Sequence, residues 1–272
     1  MTIDPTAVGL VPERTADPRE ALAMVESTGA AILTGRGADE AAARAVASDV
    51  LGPRLVALPP PAAVRAGGEG DRTSVGSEAP LPLHSDGFAY GDHAPDLIFL
   101  LCVTQGTAGG ASFAADGYAL VDQLEPDLQA FLHEVPVDLT EPGMHPTTGP
   151  LVVSRQGRTI VRRTPFMRSA EGRPDPDADQ AMIERWRDAT RSLTATLPRF
   201  TLAPGEVLCL HNQRVLHGRD PYDGERFMWR IWAWSTAGPT PPAGELHSDS
   251  RYAVTDEAAA ATIPARLTPG TA

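Results

Sequence analysis

The amino-acid sequence predicts a mainly β protein with helical additions, organised around a double-stranded β-helix, or jelly-roll, core. Three observations support this prediction. Apolar runs of strand length recur through the chain and end at glycine- or proline-rich turns. Segments with helical periodicity are interspersed among these runs, which indicates helices added to a core made mainly of strands. The chain has 272 residues and no internal repeat, which favours one domain covering 1–272.

The first 16 or so residues are predicted to be irregular, because Pro5 and Pro12 interrupt them. Asp17 and Pro18 then begin a helix, since aspartate caps a helix N-terminus and proline suits the first helical position. Gly29 ends it. Helices are predicted at 17–29, 38–51, 124–133 and 177–197, the last with Met182, Ile183, Trp186, Ala189 and Leu193 on one stripe.

The predicted strands are short runs bounded by turn residues. They are 30–33, 96–103, 151–154, 159–163, 200–210 and 226–234, of which the third and fourth form a hairpin around Gln156-Gly157. The stretch 59–70 is rich in proline and glycine and is predicted to be a loop. After Thr236 the chain is rich in proline, alanine and threonine, so about 237–272 is predicted to be a loosely packed tail.

Composition limits the partners of the chain. The formal net charge is −12 and lysine is absent, so the chain as a whole is a poor binder of nucleic acid or of an anionic membrane. Cys102 and Cys209 stand alone in apolar runs, which predicts buried, reduced thiols and a cytoplasmic protein. No signal peptide is recognised, and the apolar run 97–103 is too short to span a bilayer. The sequence leaves a homo-oligomer open.

Two separated blocks resemble the halves of one metal site. The first contains His84-Ser85-Asp86 after the strand-like Leu-Pro-Leu run 81–83, and the second contains His217. Two imidazoles and one carboxylate on one face of a metal suit Fe(II) that must also hold a chelating co-substrate and dioxygen. His84, Asp86 and His217 are therefore predicted to be the iron ligands.

Alternative ligands exist, because short motifs recur by chance. His211 is a second candidate for the distal ligand and is interpreted as a core residue or a neighbour of the site. His247-Ser248-Asp249 repeats the first motif, but it lies in the polar tail with no paired block after it. His247 and Asp249 are therefore predicted to be solvated surface residues.

Arg226 and Arg230 follow the second block at a spacing that places both on one face of a strand. Guanidinium grips carboxylate through two parallel hydrogen bonds, so such a pair suits a dicarboxylate co-substrate. The alternative is that Arg226 forms surface ion pairs with Asp220, Asp223 or Glu225.

The ordered set of motifs resembles the Fe(II)/2-oxoglutarate dioxygenases of the taurine dioxygenase and clavaminate synthase type. It comprises His84-x-Asp86, Gly109-Gly110-Ala111-Ser112, Asn212-x4-His217-x-Arg219 and Arg226-x3-Arg230. The resemblance implies that Ser112, in place of the family's threonine, and Arg226 bind the far carboxylate of 2-oxoglutarate. It implies that Arg230 lies nearer the metal.

By this resemblance the chain is expected to be a dioxygenase that needs Fe(II), 2-oxoglutarate and dioxygen and hydroxylates a small molecule. The expected substrate is an amino acid or an amino-acid-derived specialised metabolite, as in antibiotic biosynthesis. Desaturation or ring formation with the same cofactors is an alternative, and a non-catalytic jelly-roll module that binds a small ligand is another. Because Asp86 fills the position that a halide would need, oxygenation is expected rather than halogenation.

Overall fold

Two antiparallel sheets packed face to face form the centre of the molecule. The computed structural model describes residues 3–65, 78–141, 146–155 and 157–249. The helices are α1 Pro5–Val8, α2 Pro18–Thr28, α3 Glu40–Leu51, α4 Gly117–Asp122, α5 Pro126–Glu134 and α6 Pro176–Thr194, with 3-10 turns at Gly52–Arg54 and Phe88–His93. The strands are β1 Gly9–Leu10, β2 Glu13–Thr15, β3 Ala30–Leu33, β4 Leu55–Ala57, β5 Ala62–Arg65, β6 Leu81–His84, β7 Leu97–Thr104, β8 Ala108–Gly109, β9 Ser112–Asp116, β10 Val137–Asp138, β11 Thr148–Gly149, β12 Val152–Arg155, β13 Arg158–Val161, β14 Arg168–Ser169, β15 Val207–His211, β16 Val215–Arg219, β17 Tyr222–Asp223 and β18 Phe227–Ser235.

The larger sheet has seven strands in the order β2-β3-β15-β7-β18-β4, with β5 also paired to β18. The smaller sheet has four strands in the order β1-β9-β16-β6. Every pair is antiparallel except β2 with β3, which is parallel. The predicted strand-rich jelly-roll core with helical additions is confirmed.

Three buried clusters show how the layers pack. Side chains such as Ile98, Leu208 and Trp232 from the large sheet meet Ala114 and Val215 of the small sheet between the two layers. The opposite face of the large sheet packs against α2 and α3. The opposite face of the small sheet packs against α4, α5 and α6. Helices therefore cover both outer faces, and the interior between the sheets is left for the site.

The helix predictions follow from local chemistry and hold closely. Asp17 accepts a hydrogen bond from the Arg19 N–H at 2.8 Å, and Gly29 ends α2 with φ at +95°. Such a left-handed cap favours glycine because a Cβ would be strained there. Ile183, Trp186, Ala189 and Leu193 of α6 are buried as predicted, and Met182 packs against them while partly exposed.

Several predictions of irregular structure were wrong. The N-terminal segment contains α1, β1 and β2, because β1 and β2 find partners in β9 and β3. The predicted loop 59–70 contains β5, which pairs with β18, and its part beyond Arg65 lies outside the described residues. The predicted strand 200–210 is a strand only over β15, although Phe200 bridges to Ser112.

The remaining expectations concern cysteines, membranes and the tail. Cys102 and Cys209 are free and buried, and burial raises the pKa of their thiols to about 11 and about 12. Among the described helices, none is both long and apolar enough to cross a membrane. Residues 237–249 of the predicted tail are described, and 250–272 lie outside the described residues.

Candidate metal centre

His84, Asp86 and His217 converge between the two sheets. His84 ends β6, and His217 lies opposite it on the neighbouring strand β16. Their ring centroids are 4.3 Å apart, and His84 Nε2 lies 3.4 Å from Asp86 Oδ1. One ligand atom from each of the three side chains lies within 4.8 Å of the others, and all three residues are buried. The two sequence blocks are thus brought together by the pairing of β6 with β16.

The protonation of these side chains suits a metal. His84 Nδ1 lies 3.0 Å from the Pro82 carbonyl, which can only accept, so Nδ1 carries the proton and Nε2 offers its lone pair. Burial lowers the pKa of His217 to about 3. Burial would raise the pKa of Asp86, but the positive charge of Arg230, together with the neighbouring His84, outweighs it and holds that pKa well below its usual range. Neutral imidazole and ionised carboxylate are the forms that bind metal.

Asn212 fixes the loop that carries Asp86. Its Oδ1 accepts from the Asp86 N–H at 3.0 Å, and its Nδ2 donates to the carbonyls of Asp86 at 3.0 Å and Pro95 at 2.7 Å. Asn212 lies in the turn between β15 and β16, so the same turn precedes the distal histidine and holds the proximal block. The sequence placed Asn212 in the motif, but its spacing gave no sign of this task.

A pocket opens beside the three side chains. Its polar lining is His84, Asp86, His217, Arg219, Arg226 and Arg230, and its apolar lining includes Val64, Leu81, Leu100 and Met228. Three guanidiniums therefore face a pocket that also contains one carboxylate. Such a lining is complementary to an anionic ligand.

Among the three pocket guanidiniums, Arg226 is the one whose Nε has no hydrogen-bond acceptor among the described residues, and it lies 5.6 Å from the centroid of the Tyr222 ring. It is buried, its Nε has no hydrogen-bond partner, and within the described residues it makes no ion pair. Burial, with the nearby charge of Arg219, lowers its pKa to about 10, so it stays protonated at neutral pH. The alternative that Arg226 pairs with Asp220, Asp223 or Glu225 was wrong, because Asp220 pairs with Arg199 instead and the Arg226 side chain points inward.

Arg230 lies against the candidate metal ligands. Its Nη1 is 3.5 Å from Asp86 Oδ2, its Nε donates to the Ser248 carbonyl at 2.8 Å, and its Nη2 is 3.8 Å from Asp249 Oδ1. The prediction that His247 and Asp249 are solvated was therefore wrong. Asp249 is buried and His247 is partly buried, because the described tail folds back over β18 and the His247 N–H donates to the Tyr90 hydroxyl at 3.0 Å.

Trp232 is a neighbour of the site that sequence reasoning missed. Its Nε1 donates to Asp86 Oδ2 at 3.0 Å, and its ring is buried. Alternation along β18 puts Trp232 on the same face as Arg230. The contact itself joins residues 146 apart in the chain, which no local pattern reveals.

Ser112 and His211 complete the set of predicted candidates. Ser112 is buried at the start of β9 and lies opposite Arg219, so alternation turns both side chains to the interior. Its role toward a co-substrate stays a prediction. His211 ends β15 outside the three-residue cluster, and burial lowers its pKa.

A buried site of two imidazoles and one carboxylate on a jelly roll defines a candidate iron centre. The family model described as "Taurine catabolism dioxygenase TauD, TfdA family" matches residues 9–232. The chain therefore belongs to the TauD/TfdA dioxygenase family.

Individual relatives are more distant. The chain is 29% identical over 194 residues to gamma-butyrobetaine dioxygenase of Pseudomonas sp. (strain AK-1), a match that covers 65% of this chain and 44% of that protein. It thus spans less than half the length of this curated relative.

Solved structures share the fold. An asparagine oxygenase in complex with Fe(II), 2S,3S-3-hydroxyasparagine and succinate superposes with a TM-score of 0.60 at 17% identity, covering 80% of this chain and 78% of that one. A taurine dioxygenase from Burkholderia xenovorans gives a TM-score of 0.58 at 18% identity, covering 87% and 93%. The non-heme iron oxygenase OrfP, in complex with Fe, succinate and (3S)-hydroxy-L-Arg, gives 0.56 at 16% identity, covering 78% of each chain.

Proposed function

We propose that this chain is an Fe(II)- and 2-oxoglutarate-dependent oxygenase that hydroxylates a small molecule, namely an amino acid or an amino-acid-like compound. The convergence of His84, Asp86 and His217 beside the Arg226 guanidinium, whose Nε has no acceptor among the described residues, carries this proposal. Family membership supports the reaction class. The substrate class is supported by the names of relatives that act on gamma-butyrobetaine or hold hydroxylated asparagine and arginine.

Under this proposal His84 Nε2, Asp86 Oδ1 and His217 would hold Fe(II). When bound, iron with 2-oxoglutarate and dioxygen supplies the oxidising chemistry, with succinate and carbon dioxide as co-products. The protein binds and orients the reactants and excludes water from them. Arg226 pairs with the far carboxylate of 2-oxoglutarate, with Ser112 as a further donor. The apolar wall of Leu81, Leu100 and Met228 keeps that ion pair dry, which strengthens it.

The test has a binding step and a turnover step. Anaerobic addition of Fe(II) and 2-oxoglutarate to the purified chain is expected to give the weak visible charge-transfer band of the chelate. Aerobic incubation with a panel of free and carrier-bound amino acids, and with betaine-like compounds, is expected to form succinate only with the true substrate. A chelate band that persists in Asp86→Ala and His217→Ala would contradict the proposed site. A chain that binds small ligands but never forms succinate would support the non-catalytic alternative.

A further inference from the structure

The two oxygens of the Asp86 carboxylate lie in different surroundings. Oδ1 faces His84 Nε2 at 3.4 Å, on the side of the paired histidines. Oδ2 accepts from Trp232 Nε1 at 3.0 Å and has Arg230 Nη1 at 3.5 Å. Both oxygens belong to a buried side chain, so water does not compete strongly for either. One oxygen is thus engaged by the protein, and the other is directed at the histidines.

The donors to Oδ2 come from a single rigid element. Arg230 and Trp232 are two apart on β18, which is hydrogen-bonded to β7 along its length. The indole donor is the better placed of the two, because 3.0 Å is an ordinary hydrogen-bond length and 3.5 Å is at the limit. An indole also has few rotatable bonds, so it holds its N–H in one place at small entropic cost.

Ser248 fixes both donors from behind. Its carbonyl accepts from Arg230 Nε at 2.8 Å, and its hydroxyl accepts from the Trp232 backbone N–H at 3.1 Å. That N–H is available because β18 pairs with β5 over 227–230 and with β4 only from Trp234 onward. Ser248 is buried, so it fills the gap between those two partner strands. The described end of the chain is thereby connected to Asp86.

We propose that Trp232 is a positioning residue for the metal ligand Asp86, and that Ser248 keeps it in place. The indole N–H holds Oδ2, so that Oδ1 alone is presented toward His84 and His217. This inference rests on the proposed iron site. Partners that orient metal ligands in this way are typically worth about 10- to 100-fold in metal affinity.

The test compares Trp232→Phe with Trp234→Phe. Both indoles are buried on β18 and each donates one hydrogen bond, but Trp234 Nε1 donates to the His93 carbonyl at 2.8 Å and does not touch Asp86. Co(II) is the probe, and its Kd is measured anaerobically by competition with a chromophoric chelator. The visible Co(II) spectrum and Tm are measured on the same samples.

Trp232→Phe is expected to weaken Co(II) binding by about 10- to 100-fold and to change the visible bands. Trp234→Phe is expected to lower Tm while its Co(II) affinity and spectrum stay those of the wild type. Ser248→Ala, which retains the carbonyl, is expected to weaken Co(II) binding less than Trp232→Phe does. This variant also keeps the inference testable if Trp232→Phe does not fold.

Unchanged Co(II) affinity in Trp232→Phe, or equal losses in Trp232→Phe and Trp234→Phe, would overturn the positioning role while leaving the proposed function intact. If Trp232→Phe does not fold, wild-type affinity in Ser248→Ala would overturn it. If the wild-type chain itself does not bind Co(II), the iron site falls and this inference falls with it.

Discussion

Removal of the Arg226 charge should change stability and co-substrate affinity in opposite directions. Burial lowers the pKa of this guanidinium from 12.5 to about 10, which corresponds to about 3 kcal/mol of unfavourable charge burial at this position. Replacement by methionine keeps an unbranched apolar stem and removes the charge. The metal-free Arg226→Met chain is therefore expected to melt up to about 6–12 °C above the wild type, since 1 kcal/mol shifts Tm by about 2–4 °C in a chain of this size.

The same replacement removes the residue proposed to pair with the far carboxylate of 2-oxoglutarate. Leaving a buried charge without its partner costs about 2–5 kcal/mol, or about 30-fold to several-thousand-fold in Kd. Arg219→Ala should cost much less, because Arg219 already donates to the carbonyls of Asp220 and Ala79 at 2.9 and 3.0 Å. Surface ion pairs, for comparison, are worth at most about 1 kcal/mol.

The assay is anaerobic calorimetric titration of the Co(II)-loaded variants with 2-oxoglutarate and with 2-oxobutyrate. The second keto acid chelates in the same way but lacks the far carboxylate, so its affinity should not depend on Arg226. Wild-type affinity for 2-oxoglutarate in Arg226→Met would refute the assignment. Equal losses for both keto acids would show that the substitution disturbs the metal end instead.

Three further predictions follow from the same geometry. His84→Ala, Asp86→Ala and His217→Ala should each abolish metal binding and turnover, whereas His211→Ala and His247→Ala should not. Retained activity in His217→Ala with loss in His211→Ala would show that His211 is the distal ligand. The pKa of His217 falls from 6.5 to about 3 on folding, so between these values the unfolded chain binds a proton that the folded chain does not. The unfolding free energy of the metal-free protein should therefore decrease as pH falls from about 6.5 toward 3, by up to about 1.4 kcal/mol per pH unit. Denaturant titrations of His217→Gln should show a smaller dependence of the unfolding free energy on pH. Turnover in excess chloride or bromide should give only oxygenated product by mass spectrometry, since Asp86 occupies the ligand position that a halide needs, and a halogenated product would count against this.

Local chemistry made much of the molecule predictable. Aspartate and glycine at the ends of α2 act through neighbouring backbone groups, so a one-dimensional pattern is sufficient to find them. The candidate metal residues could also be located from local patterns, because His84 and Asp86 are two apart and His217 lies in a recognisable block. Context alone distinguishes the block at 84–86 from the repeated motif at 247–249.

What escaped prediction depends on partners that are distant in the chain. β9 has the sequence Ser-Phe-Ala-Ala-Asp, which is weakly β-forming, and it is a strand because β1 and β16 pair with its two edges. Asp249 was predicted to be solvated because its neighbours in sequence are polar, yet it is buried beside Arg230. The hydrogen bonds that Asp86 makes with Asn212 and Trp232 likewise join residues more than 120 positions apart.

The charge of the site differs in sign from the charge of the chain. The formal net charge of −12 indicates that the molecule as a whole repels anions. The pocket, however, is lined by three guanidiniums and one carboxylate. Because salt screens buried charges only weakly, this local positive charge favours the binding of an anionic ligand. Arg230 contacts Asp86 and the segment at 248–249, and Arg219 donates hydrogen bonds to backbone carbonyls. Arg226 is then the pocket guanidinium whose Nε has no acceptor among the described residues. A dicarboxylate that chelates the metal at one end can supply that acceptor at the other. Under the proposed function, a preference for 2-oxoglutarate over a shorter keto acid would follow from this one buried guanidinium.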